Sequence, residues 1–155
     1  MYNSTQEMIE ALQATPDSLR GLLQHVAPAR VWSARGGDEG WSVVEVVCHL
    51  RDAEEVFLQR MRMLRDVVEP VIAGFDQTTL ASERSYASAD LHAALAVFFH
   101  LRAVHMAELA TLTAAQWERS GQHQQHGSMT IFNHTLHVVW HDAIHTAQIA
   151  RQLSC

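Results

Sequence analysis

The sequence predicts an all-α protein, a four-helix bundle with a long crossover connection. Apolar residues recur at helical spacing in four stretches, each long enough for a bundle helix. No stretch alternates apolar and polar residues between turn pairs as a strand would. The glycines and prolines that stop helices fall mainly in the connections.

The first helix runs from about Ser4 to Val26 and opens with "STQE", where Ser4 can cap the first turn and Glu7 can reach back to the cap. Within it "TPDS" marks a point of interruption: Pro16 has no N–H to donate, and Thr15 could recap a second segment. After the loop "SARGGDEG", the stretch "WSVVEVVCHLRDAEEVFLQRMRML" describes a second helix with Ser42 as N-cap and Glu45 three residues on. Pro70 and Gly74 end it, and "GFDQTTLASERSYAS" is a long connection of the kind that serves as a crossover or carries function. The third helix, from about Asp90 to Leu112, sets Leu91, Leu95, Phe98, Phe99, Leu101 and Leu109 near helical spacing. The loop "ERSGQHQQHGSM" leads into a fourth helix from about Thr130 to Leu153. No internal repeat or second domain is visible, so one domain is expected over residues 1–155.

A chain of 155 residues with 48% hydrophobic residues can bury a substantial core. Its net charge of -6, with eleven Lys and Arg against seventeen Asp and Glu, argues against a protein that lives on phosphate backbones, so no nucleic-acid partner is expected. No apolar run is long enough to cross a membrane, and the polar opening "MYNSTQEMIE" lacks the basic and apolar regions of a signal peptide. The expectation is a cytoplasmic protein with no membrane partner. Cys48 and Cys155 form no recognisable framework; Cys48 sits in an apolar helical pattern and reads as a buried reduced thiol. Histidine is the compositional outlier, with eleven residues.

Four of them, His134, His137, His141 and His145, fall within "NHTLHVVWHDAIHTAQIARQL". On a wheel of about 100° per residue, Phe132, Leu136, Val139, Ala143, Ala147 and Ala150 occupy one apolar sector, which is expected to pack on the bundle. The four histidines and Gln148 form a second sector roughly 80° wide, flanked by Val138, Ile144 and Ile149. Aliphatic flanks imply at least partial burial, where a neutral imidazole needs a hydrogen-bond partner or a metal. Residues at i and i+4 stack on one face, so two ring nitrogens can converge on one cation. Spacing alone fits His137 with His141 as well as His141 with His145, and it also fits two buried, hydrogen-bonded histidines. The best third ligand on another helix is His49 in "VVCHLRDAE", at the edge of an apolar stripe. Asp52 on one side and Gln148 on the other could accept a spare imidazole N–H. His25, His92, His100 and His105 lack ligand spacing, whereas His123 and His126 sit in a loop that could overhang the site. Cys48 points about 100° away from His49 and is not a ligand. Trp41 and Trp140 read as core residues.

The order "WSVVEVVCHLRDAE", then "LRAVHMAELATLTAAQWERSGQHQQHGSMTI", then "HVVWHDAIHTAQI" resembles the DinB-like (YfiT-like) superfamily of metal-dependent four-helix bundle proteins, over about residue 5 to the end. The shared pattern is a Trp-Ser helix start with a histidine seven residues after the serine, a Trp-x-Arg-x-Gly-x-His loop, and a final H-x-x-x-H-x-x-Q-I. The resemblance implies a divalent ion, zinc or nickel, on His49, His141 and His145, and so decides against His137. It also implies use of a low-molecular-weight thiol such as bacillithiol or mycothiol, and a homodimer.

Three neutral imidazoles leave an ion its full charge and open positions, as in catalytic rather than structural sites. Such an ion can acidify a bound water or thiol. Asp52 and His123 are the candidate proton acceptors. The expected function is a metal-dependent thiol transferase acting on small electrophilic molecules. The alternatives are a metal-dependent hydrolase, which would turn over without thiol, and a catalytically silent bundle serving metal or stress sensing or dimer assembly.

Overall fold

The computed structural model describes residues 4–154, so Met1 to Asn3 of the opening stretch, and Cys155, lie outside the described residues. In chain order the elements are α1 (Thr5–Leu23), α2 (Pro28–Ser33), β1 (Arg35–Gly36), β2 (Trp41–Ser42), α3 (Val43–Asp66), β3 (Val71–Ile72), α4 (Gln77–Glu83), α5 (Leu91–Leu109), α6 (Ala114–Trp117), β4 (Ser120–His123), β5 (Gly127–Thr130) and α7 (Ile131–Ser154). The four long helices close a ring in which α3 packs on α5 and α7, and α1 packs on α7 and α5. No helix among the described residues is long and apolar enough to cross a membrane.

The helix starts follow from their caps. Ser4 with Glu7 and Ser42 with Glu45 both form complete capping boxes, and Asp90 caps α5 by accepting from the Ala93 N–H. The long crossover between α3 and α5 holds α4, capped by Asp76, and a 3₁₀ turn at Tyr86–Ser88. The stretch expected as a plain loop, "ERSGQHQQHGSM", instead forms the antiparallel pair β4–β5, and β3 joins it in parallel with Ile72 opposite His123. Its strands are short and mostly polar, so no apolar alternation announced them. The turn depends on Gly127, whose φ of 74° lies in the left-handed region that side chains avoid.

Two apolar clusters fill the bundle. One gathers Leu12, Phe57, Met61, Met106, Ile131 and Val138; the other gathers Leu19, Val47, Leu50, Phe98 and Ile149. Between them each long helix contributes a polar residue: Thr15 from α1, Glu54 from α3, Arg102 from α5 and Asp142 from α7. The Arg102 side chain is 2% exposed, and it donates to both Glu54 oxygens at 3.0 and 2.8 Å and to both Asp142 oxygens at 2.5 and 3.1 Å. Thr15 Oγ1 donates to Asp142, and His105, fully buried, is hydrogen-bonded through Nδ1 to Glu54. Arg102 also donates to the Leu12 carbonyl at 3.0 Å. That carbonyl is the helical partner that Pro16, four residues on, cannot bond. The guanidinium thus replaces the missing N–H, and α1 continues through Pro16 instead of breaking at "TPDS".

The network also corrects the expected rotation of α7. Of the expected sector, Val139 is buried and Phe132 and Leu136 pack against the core, but Ala143 and Ala147 are exposed, and the buried line runs on through Ile131, His134, Thr135, Val138, Asp142 and Ile149. Alanines bury little apolar area, while these polar groups have partners inside: Asp142 on Arg102, Thr135 on the Ile131 carbonyl, His134 Nε2–H on the Phe57 carbonyl at 2.9 Å. Trp140 on the same helix is 59% exposed and is not a core residue, whereas Trp41 is buried.

Removing one partner of a buried ion pair strands the other charge without water. Arg102→Met is expected to lower the unfolding free energy by about 3–5 kcal/mol, measured by urea titration; a loss below about 1 kcal/mol, the range of exposed ion pairs, would show that the network is not desolvated in solution.

Candidate metal centre

His49 is 1% exposed on α3, and His141 and His145 face it from α7. One ring nitrogen of each lies within 4.8 Å of the others, the one such group of three His, Cys, Asp or Glu among the described residues that could hold a metal ion. His49 Nε2 and His141 Nε2 are 2.9 Å apart. His145 Nδ1 donates to Gln148 Oε1 at 2.8 Å, which leaves the His145 Nε2 lone pair free. Gln148 in turn donates to the Gly36 carbonyl, and a Cβ at Gly37 would stand 2.5 Å from Gln148 Nε2. With φ at +77°, Gly37 is a position that only glycine fills without strain. The "GG" of the first loop therefore supports the orientation of an imidazole more than one hundred positions later.

Burial keeps these rings neutral. His49 is pushed down to about 3 by desolvation and then by His145, and His141 lies well below the ordinary histidine value through burial and its two neighbours. His145 is lowered by burial, against the opposing pull of Gln148. A ligand imidazole must be neutral to offer its lone pair, so the donor set suits a cation. The Nδ1 atoms of His49 and His141 are buried with no hydrogen-bond partner among the described residues. His49 sits between Trp41, 5.2 Å away centroid to centroid, and Phe75 at 6.2 Å, while Phe57 packs edge-on to His141 at 5.1 Å.

The pattern of the DinB superfamily matches residues 11–149. The chain belongs to the DinB superfamily. Among its relatives, YfiT of Bacillus subtilis strain 168, provisionally named a metal-dependent hydrolase, is 26% identical over 142 residues, or 91% of this chain and 79% of YfiT. A Geobacillus thermodenitrificans strain NG80-2 protein with the same provisional name is 27% identical, over 92% of this chain and 80% of its own. The YfiT structure, described as an unusual four-helix bundle topology, superposes with a TM-score of 0.88 at 25% identity, covering 98% of this chain and 87% of YfiT. A mycothiol-dependent maleylpyruvate isomerase superposes with a TM-score of 0.77 at 11% identity, over 94% of this chain and 60% of the isomerase, a likeness of fold.

Other residues of this DinB-superfamily chain fall differently from expectation. Asp52 does not accept an imidazole N–H and is not a free base. Its buried carboxylate takes two bonds from Arg51, one from Arg84 at 2.8 Å and one from the Tyr86 hydroxyl at 2.7 Å, and these hold it below the usual carboxylate range despite desolvation. His137 stays outside the triad, 6.4 Å from His141 centroid to centroid. Burial pushes the Cys48 thiol up to about 11, which makes it a packed, inert residue. His123 lines a cavity of about 220 Å³ shared with His49, His137 and His141. Its Nδ1 accepts the Gln125 N–H at 3.1 Å, so in the neutral ring the proton sits on Nε2 and His123 is a donor there, not the proton acceptor expected from the loop position. Arg60 lines the same cavity, and no sequence signal singled it out.

The depressed histidines make the fold acid-sensitive. His49 and His134 both titrate near 3 when folded against 6.5 unfolded. The stability they contribute is fully present above about pH 6.5 and is lost as pH falls toward about 3, because the unfolded chain binds protons that the folded chain refuses. In chelator-treated protein the urea midpoint should fall steadily from pH 7 to pH 4.5, and His134→Gln should flatten that slope. Equal slopes would mean that His134 is solvated or protonated in the folded state.

Proposed function

We propose that this chain is a metal-dependent hydrolase of small molecules, with His49, His141 and His145 as the ligands. The observation that carries the reading is the convergence of three neutral imidazoles at the wall of a cavity, with no carboxylate or thiolate of the described residues joining them. Three protein ligands leave coordination open, unlike the closed four-ligand structural sites. The names of YfiT and its Geobacillus counterpart agree with it. Imidazole suits zinc, nickel, copper and iron alike, so the donor set does not select the metal.

A bound divalent ion supplies Lewis acidity, polarising a substrate oxygen and acidifying water. The chain's own groups do the rest. Gln148 fixes the tautomer and orientation of His145. Trp41, Phe57 and Phe75 exclude water around the rings and lower the local dielectric. His137 makes no hydrogen bond among the described residues, and burial lowers its pKa, so at neutral pH it is an unprotonated base at the cavity wall, suited to take a proton from water. The His123 Nε2–H is suited to donate to an oxygen that gains negative charge.

The thiol-transferase reading stands second. The fold is shared with a mycothiol-dependent isomerase, and the same open coordination would accept a thiolate.

Protein purified without chelator should carry about one divalent ion per chain, lost in His141→Ala and retained in His137→Ala. Gln148→Ala should weaken metal affinity about 10–100-fold. Against a panel of small esters and amides, His137→Ala should lower turnover about 10²–10⁴-fold, the usual share of general base catalysis. Failure of the wild type to bind zinc, nickel or cobalt after reconstitution would overturn the reading, and turnover that requires added thiol would favour the transferase.

A further inference from the structure

Among the described residues, Arg20, Arg35, Arg51, Arg62, Arg65, Arg84 and Arg102 form ion pairs with carboxylates. Arg60, partly buried on α3, forms none among the described residues; its one hydrogen bond runs from Nη2 to the Ala73 carbonyl at 2.8 Å. That bond anchors the guanidinium between α3 and the chain leaving β3, and the rest of its donor fork has no protein partner among the described residues. An arginine does not shed its proton to relieve desolvation, so this half-buried guanidinium stays charged, and its remaining donors are open to a ligand in the cavity.

Its surroundings narrow what it can bind. Arg60 lines the cavity of about 220 Å³ that also reaches His49 and His141, with His123, His137 and Gln125 around it and no carboxylate on the wall. The Ile72–His123 pairing of β3 with β4 holds His123 against this cavity, with its Nε2–H as a second donor. The charge is felt there: after burial, Arg60 is the largest cause of the lowered His123 pKa. The wall is therefore positive in a chain whose net charge is -6. A volume below the roughly 300–1,000 Å³ of drug-sized pockets limits the occupant to a small molecule.

We propose that Arg60, assisted by His123, forms an oxyanion-binding subsite beside the metal centre, and that the substrate is a small acid whose carboxylate or phosphoryl group docks there. Such a substrate is held at two points, its anionic group on Arg60 and its reacting group at the triad, the positioning that turns binding into rate. A guanidinium fork matches either oxyanion. The inference deepens the hydrolase reading and rests on it for the role of the triad, but the subsite is tested by binding alone.

Zinc-reconstituted wild type, Arg60→Met and Arg60→Lys are titrated calorimetrically with acetate, with inorganic phosphate and with neutral acetamide, and zinc content is measured in each. The expected result is binding of one or both anions but not of acetamide, weakened at least tenfold in Arg60→Met, partly restored in Arg60→Lys, with zinc content unchanged. Preference for phosphate assigns a phosphoryl group, and preference for acetate a carboxylate. Equal anion affinity in wild type and Arg60→Met, or no anion binding at all, overturns the subsite. Binding that vanishes with zinc yet ignores Arg60 also overturns it, since the anion then sits on the metal and the hydrolase reading survives. Arg60-dependent anion binding in a wild type that takes up no zinc has the opposite meaning: the subsite stands and the metal-dependent reading falls.

Discussion

A guanidinium withdrawn from water must find acceptors on every side, and Arg102 finds them on all three of the other long helices: the Leu12 carbonyl on α1, Glu54 on α3 and Asp142 on α7. This demand fixes more than stability, because a buried ion pair is a poor source of net stability but tolerates little misalignment. Glu54 and Asp142 can reach Arg102 only if α3 and α7 take particular rotations about their axes. With those rotations set, His49 on α3 and His141 and His145 on α7 come to face one another. The imidazole cluster therefore rests on the same helix rotations that the buried ion pairs of Arg102 require.

The same constraint explains which parts of the fold were legible beforehand. Helix starts were, because a capping box is local: Ser4 with Glu7 and Ser42 with Glu45 carry their instruction within four residues. The grouping of His49 with an H-x-x-x-H pair was also legible, from spacing on α7 and an edge position on α3, although spacing left His137 with His141 open and only the family resemblance chose His141 with His145. Arg102, Glu54 and Asp142 were not, since a charged residue on a helix wheel reads as solvent-facing until its partner on another helix is known. The same blindness left α7 half read: the line of Ile131, Thr135, Val138, Asp142 and Ile149 runs between the alanine sector and the histidine sector, and nothing on the wheel said that Asp142 would turn inward. Pro16 misled for a related reason, its missing donor being supplied from α5, about ninety positions along the chain. The β4–β5 hairpin escaped because strands of four residues with few apolar positions leave no period to detect.

Asp52 shows how proximity in sequence differs from access. One turn beyond His49, it looked placed to orient that ring, yet Arg51, Arg84 and Tyr86 saturate its carboxylate and hold it in the structural layer. Gln148, three residues beyond His145, does reach its imidazole, because the first loop brings the Gly36 carbonyl to brace the amide from behind.

The disposition of charge follows from these assignments. Acids near the triad are engaged elsewhere, Asp52 on two arginines and a tyrosine, Glu54 and Asp142 on Arg102, and Glu39, whose charge His145 feels, on Gln77. Neutral imidazoles are then the ligands available, and a cation held by them would keep its full charge. A carboxylate ligand would have quenched part of that charge. Arg60 adds to the same imbalance on the wall of that cavity, since it pairs with no acid among the described residues. A cavity lined by a guanidinium and neutral imidazoles, with no carboxylate on its wall, discriminates by charge before shape: a neutral molecule gains little there, and a small anion meets the complementary charge.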